Sequence, residues 1–105
     1  MVLANTFSPL MLQKGATAAV EEIELETARD LVKDGFTSVI SHEVTAKVVS
    51  AVLHTEVVFN RVNVTLKAGD VLVAVIPSFR AEIAREFTEE EVCAAPLRCF
   101  LIKVA

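Results

Sequence analysis

Residues Val71 to Ile76 form an unbroken apolar run, Val-Leu-Val-Ala-Val-Ile, closed by Pro77. A strand with one wet face alternates apolar and polar residues, so a short β-branched run without alternation reads as a strand buried on both faces and central in its sheet. Pro77 ends it, because proline has no N–H to donate to a neighbouring strand. The chain has 105 residues, 53% of them hydrophobic and 23% charged, which fits one domain spanning residues 1–105 with a substantial core and excludes disorder.

Other elements follow from local pattern. Val2-Leu3-Ala4 reads as a strand, ended by the turn-forming Asn5-Thr6-Phe7-Ser8-Pro9. Leu10 to Gln13 suits one helical turn after Pro9, stopped by Gly15, and Ala16 to Ile23 is assigned as a strand from its position. From Glu24 the period becomes helical, with Leu25, Ala28, Leu31 and Val32 on one face and Gly35 as a left-handed cap. Phe36 to Ile40 is a short strand, followed by a helix from Glu43 to about Leu53. That helix has so wide an apolar stripe that it is expected to pack on a sheet and also against a second subunit. His54 falls at its C-terminal end as a cap-region residue without a catalytic role. Val62 to Lys67 alternates without a break and reads as a strand with one wet face, followed by a turn at Lys67-Ala68-Gly69-Asp70. Ala81 to Arg85 fits either a helix or a lid-like loop. Thr88 and Glu91 have capping-box spacing for a further helix closed by Pro96, and Cys99 to Val104 reads as the final strand.

Composition narrows the function. With six Phe and no Trp or Tyr, an aromatic platform for single-stranded bases is hard to build. A net charge of −4, from 10 Lys+Arg against 14 Asp+Glu, argues against holding long DNA or RNA. A small anion needs only a few well-placed arginines and remains a candidate ligand. The opening MVLANTFSPLML is too short and too interrupted for a secretory signal, and no run reaches a spanning length. A soluble, cytoplasmic protein with no membrane partner is therefore expected. Cys93 and Cys99 have no further Cys or His nearby to complete a zinc site, so free thiols are expected, with no metal and no cofactor.

The chemistry is sought at Ser41-His42-Glu43-Val44-Thr45-Ala46, where an apolar run meets a helix start. The first N–H groups of a helix lack intrahelical partners and attract anions. Histidine is the side chain whose ordinary titration lies nearest neutrality, so His42 there is suited to hold a phosphate and pass it a proton. The competing view is that Ser41 caps the helix and His42 is an ordinary first-turn residue. Arg61 precedes the alternating strand and Arg80 follows the buried one, so a hairpin of the two would bring both guanidinium groups to one end. Each alone also fits a solvated charge at a strand end.

These segments together resemble the viral ring nucleases that act as type III anti-CRISPRs, small proteins common in archaeal viruses and present in some phages and bacterial genomes. The matching stretches are LANTFSPLML at 3–12, ISHEVTA at 40–46, FNRVNVTLKAGD at 59–70, and the downstream segment with Arg80 and TEEEV at 88–92. The resemblance implies a small α/β domain with a mixed central β-sheet flanked by helices, assembled as a symmetric homodimer. It implies binding of cyclic tetra-adenylate across the dimer interface and its cleavage without metal. His42 would be the catalytic general acid, and Asn5, Ser8, Arg61 and Arg80 would bind substrate. This chain departs from the family pattern at Ser41, where glycine is usual, and at Phe79 and Ile83-Ala84, where polar residues and an acidic-glycine pair are usual, with Glu82 one position early. A non-catalytic binder of a cyclic oligonucleotide or of duplex nucleic acid is the second reading, and a structural or partner-binding dimer the third.

Overall fold

Five strands make one sheet in the computed structural model, which describes residues 1–77 and 97–105. They are β1 (Val2–Ala4), β2 (Ala18–Ile23), β3 (Thr37–Ser38), β4 (Val71–Pro77) and β5 (Leu97–Val104), in the order β2-β5-β4-β1-β3. β1 runs parallel to both β3 and β4, whereas β5 runs antiparallel to both β2 and β4, so the expected α/β domain with a mixed sheet is what forms. β4 occupies the middle, and its side chains divide by parity. Val73 and Val75 enter one cluster with Leu3, Ile40 and Val49, while Leu72 and Ala74 enter another with Ala4, Leu66 and Ile102. Both faces being covered, every position of the strand is apolar.

Both described helices, α1 (Leu25–Val32) and α2 (Glu43–Leu53), lie on the first face, contributing Ala28, Val32, Ala46, Val49 and Leu53 to it. α1 stops at Gly35, whose φ of 107° suits glycine and whose N–H donates to the Val32 carbonyl at 3.2 Å. Arg29 of α1 donates through Nε to the Val52 carbonyl at 2.9 Å, satisfying an orphan acceptor in the last turn of α2. The wide apolar stripe of α2 is covered within the chain. Ala46, Val49 and Leu53 face the sheet, while Val48 and Val52 are buried with Leu25, Val44 and Leu97.

The second face has no described helix. It is covered by the 3₁₀ turn Pro9–Met11 with its flanking residues Phe7 and Leu12, and by Val64 and Leu66. Here two expectations are corrected. Val62 to Lys67 is not a strand of the sheet: among the described residues its one ladder contact is an isolated parallel bridge between Leu66 and Leu12. Its alternation is real, Leu66 being 1% exposed and Val62 50%, but the partner that buries it is an irregular loop. No hairpin therefore joins it to β4. The strand expected over Phe36 to Ile40 is paired only at Thr37–Ser38, on the sheet edge beside three-residue β1. The expected segment from Ala81 to Pro96, with Cys93, lies outside the described residues, as do Arg80, Phe79, Glu82, Ile83 and Ala84.

Candidate functional site

Parallel pairing puts the carboxyl ends of β1, β3 and β4 along one edge of the sheet. In α/β sheets, that edge is where ligands lodge. β1 ends there and hands the chain to Asn5, and β3 ends there and leads through Val39, Ile40 and Ser41 to His42.

His42 is the N-cap residue of α2, in extended conformation with φ −117° and ψ 129°. Its carbonyl accepts from the Ala46 N–H at 3.0 Å, the first bond of the helix. Ser41 is therefore not the cap, contrary to the competing sequence reading. The His42 side chain makes no capping hydrogen bond of its own, and the first N–H groups of a helix have no partner within it. The imidazole is exposed, and Glu43 next to it reaches along the helix to Lys47 at 3.8 Å.

Arg61 comes to the same place by an unexpected route. The irregular chain after α2 crosses the end of β3, where the Asn60 N–H donates to the Ile40 carbonyl at 2.6 Å and Asn60 Nδ2 to the Ser38 carbonyl at 3.0 Å. One residue on, Arg61 Nε donates to the Ser41 carbonyl at 3.2 Å. His42 and Arg61 then share a cleft of about 410 Å³ with Val39, Ser41, Val62 and Asn63. A histidine and an anchored guanidinium in one cleft beside a helix start can bind an anionic group, neutralise charge developing on it and give it a proton.

The remaining expected site residues stand differently. The Ser8 hydroxyl accepts from the Leu10 N–H at 3.2 Å and so caps the 3₁₀ turn. Asn5 is half-buried just beyond β1. Neither lines the cleft with His42 and Arg61. Arg80 lies outside the described residues. Sequence reasoning missed Asn60, although a polar residue beside a candidate arginine, once half-buried, must find hydrogen-bond partners.

A second cleft, of about 490 Å³, lies between the helices and is lined by Glu26, Arg29, Asp30, Lys33, His54 and Thr55 among others. Its charges cancel locally. Lys33 pairs with Asp30 at 2.9 Å, and Arg29 is engaged with Val52 and sits 3.4 Å from His54 Nε2. His54 has the cap-region role expected of it, as the left-handed C-cap of α2 with φ 56°. Among the described residues, no group of three or more His, Cys, Asp or Glu is placed to hold a metal ion, and no helix is long and apolar enough to cross a membrane.

The fold is shared with B116 of Sulfolobus turreted icosahedral virus (STIV), with a TM-score of 0.79 over 97% of each chain at 21% identity. In sequence, the chain is 30% identical over 82 residues to "Uncharacterized protein 26" of Sulfolobus islandicus filamentous virus (isolate Iceland/Hveragerdi), covering 77% of this chain and 70% of that protein. The model of one family, described as STIV B116-like, matches residues 1–98. Because that match runs through nearly the whole length, the chain belongs to the STIV B116-like family, with relatives among the proteins of archaeal viruses.

Proposed function

We propose that this protein is a metal-independent ring nuclease that cuts cyclic tetra-adenylate into linear di-adenylate with 2′,3′-cyclic phosphate ends, and so suppresses type III CRISPR signalling in the host cytoplasm. The observation that carries the proposal is the shared cleft of His42 and Arg61 at the head of α2. Membership of a family with archaeal-virus relatives supports it, as does the motif resemblance at residues 3–12, 40–46 and 59–70.

The chemistry needs few groups. The ribose 2′-oxygen attacks the adjacent phosphorus in line, loses its proton to water, and closes the 2′,3′-cyclic phosphate as the bond from phosphorus to the 5′-oxygen breaks. The departing 5′-oxygen takes a proton from the imidazolium of His42, a contribution of about 10²–10⁴-fold. Arg61 and the first N–H groups of α2 offset the charge that builds on the phosphorane. In a symmetric homodimer, two copies of His42 would face opposite bonds of the ring, giving two identical products. Asn5, Ser8 and Arg80 remain substrate-binding candidates.

Radiolabelled cyclic tetra-adenylate incubated with the protein in excess EDTA tests this, beside His42→Ala. Cleavage by the wild type only, with binding retained in the variant, is the expected result. Tight binding without cleavage by the wild type would favour the non-catalytic binder of cyclic oligonucleotide, and no binding at all would overturn both readings.

A further inference from the structure

We propose that Asn60 is the positioning residue of this site, a clamp that fixes Arg61 at the head of α2; the inference rests on the ring-nuclease reading and adds a residue to which that reading gives no role. The need for a clamp is visible in the chain around it. Residues 55–65 belong to no helix or strand, and holding irregular backbone in one conformation costs roughly 1–2 kcal/mol per residue. Packing does not hold the part that carries Arg61. Val58, Phe59 and Val62 are 61%, 48% and 50% exposed, so the apolar side chains flanking it are largely outside the core.

Hydrogen bonds do the holding, and Asn60 makes them from three of its groups. Its N–H reaches Ile40 and its Nδ2 reaches Ser38, two residues that are 0% and 6% exposed and so are fixed points of the fold. Its carbonyl accepts from the Val62 N–H at 3.1 Å, which turns the chain about Arg61. The guanidinium then meets the Ser41 carbonyl through Nε, one residue from the proton donor His42. A guanidinium anchored through Nε keeps its two terminal nitrogens for bidentate contact with a phosphate. Asparagine fits the position because the target is a carbonyl oxygen. Only an amide of that length donates there, while aspartate would oppose acceptor to acceptor and alanine would leave the Ser38 carbonyl unpaired.

Two measurements on the full chain test the clamp. In the first, binding of cyclic tetra-adenylate in EDTA is compared for wild type, Asn60→Ala, Arg61→Ala and the double variant. Asn60→Ala is expected to weaken binding by about three- to tenfold, the worth of one hydrogen bond, and to cost nothing further once Arg61 is gone. In the second, ¹⁵N–¹H spectra follow the Arg61 Nε–H. Solvent exchange of this proton should be slow in the wild type and rise to the rate of an exposed arginine in Asn60→Ala. Asn60→Asp, which keeps the shape and removes the donor, repeats that measurement should the alanine variant fold poorly. Additive losses in the double variant, or an Nε–H unchanged in both variants, would overturn the positioning role. A wild type that fails to bind the ring would overturn the ring-nuclease reading alone, and the Nε–H measurement would still decide the role of Asn60.

Discussion

At the scale of single residues, two side chains show how backbone and burial set behaviour. His54 closes α2 with φ 56°, a conformation that costs residues other than glycine roughly 1–2 kcal/mol and β-branched residues more. His54→Val is expected to destabilise the fold by about 1–2 kcal/mol in chemical denaturation, while His54→Gly stays within about 1 kcal/mol of wild type. Cys99 is 2% exposed among Leu3, Val73 and Val75, and burial pushes its thiol above the usual range. The reactive species is the thiolate, and raising the thiol's titration lowers its population at neutral pH. Alkylation at neutral pH followed by peptide mapping should leave Cys99 unmodified in the folded protein and modify it readily in denaturant.

At the scale of elements, the second sheet face depends on a segment without regular structure. Leu66 is 1% exposed, packs its side chain against Leu72, Ala74 and Ile102 of the sheet, and is bonded through its backbone to Met11 and Gln13 at 2.6 and 2.7 Å. Leu66→Ala should therefore cost about 2–5 kcal/mol, as a buried leucine does, read as a lowered denaturant midpoint with an unchanged slope. If the segment were a loosely attached surface loop, the cost would be far smaller. The same segment shows what was legible in the sequence. Elements whose stop signals are local could be read closely: β4 from its apolar run and Pro77, α1 from its period and Gly35, α2 from the change of pattern after His42. The alternation at 62–67 announced one dry side without naming what dries it, and a strand was the wrong inference. The candidate site followed the same rule. His42 was legible from its junction, whereas its meeting with Arg61 depends on Asn60 bonding to Ser38 and Ile40, contacts between distant positions that leave no local period.

At the scale of the whole molecule, the proposed chemistry calls for two copies of the cleft around one ring. Sedimentation analysis is expected to give about twice the 11.4 kDa chain mass. A monomer at all concentrations tested would remove the two-site account of the products while leaving the single-site chemistry in place.

The strand order also governs when the molecule can form. β5 lies between β2 and β4, and on the β2 flank Arg98 grips Glu22 at 2.8 and 3.0 Å. β2 leaves the ribosome long before β5, so its pairing groups must wait in water while most of the polypeptide is made. Contacts so distant along the chain slow folding, and an unpaired edge is open to wrong partners in the meantime. The continuous sheet can therefore close only after residues 97–104 have been made, when β5 joins β2 to the strands around β4.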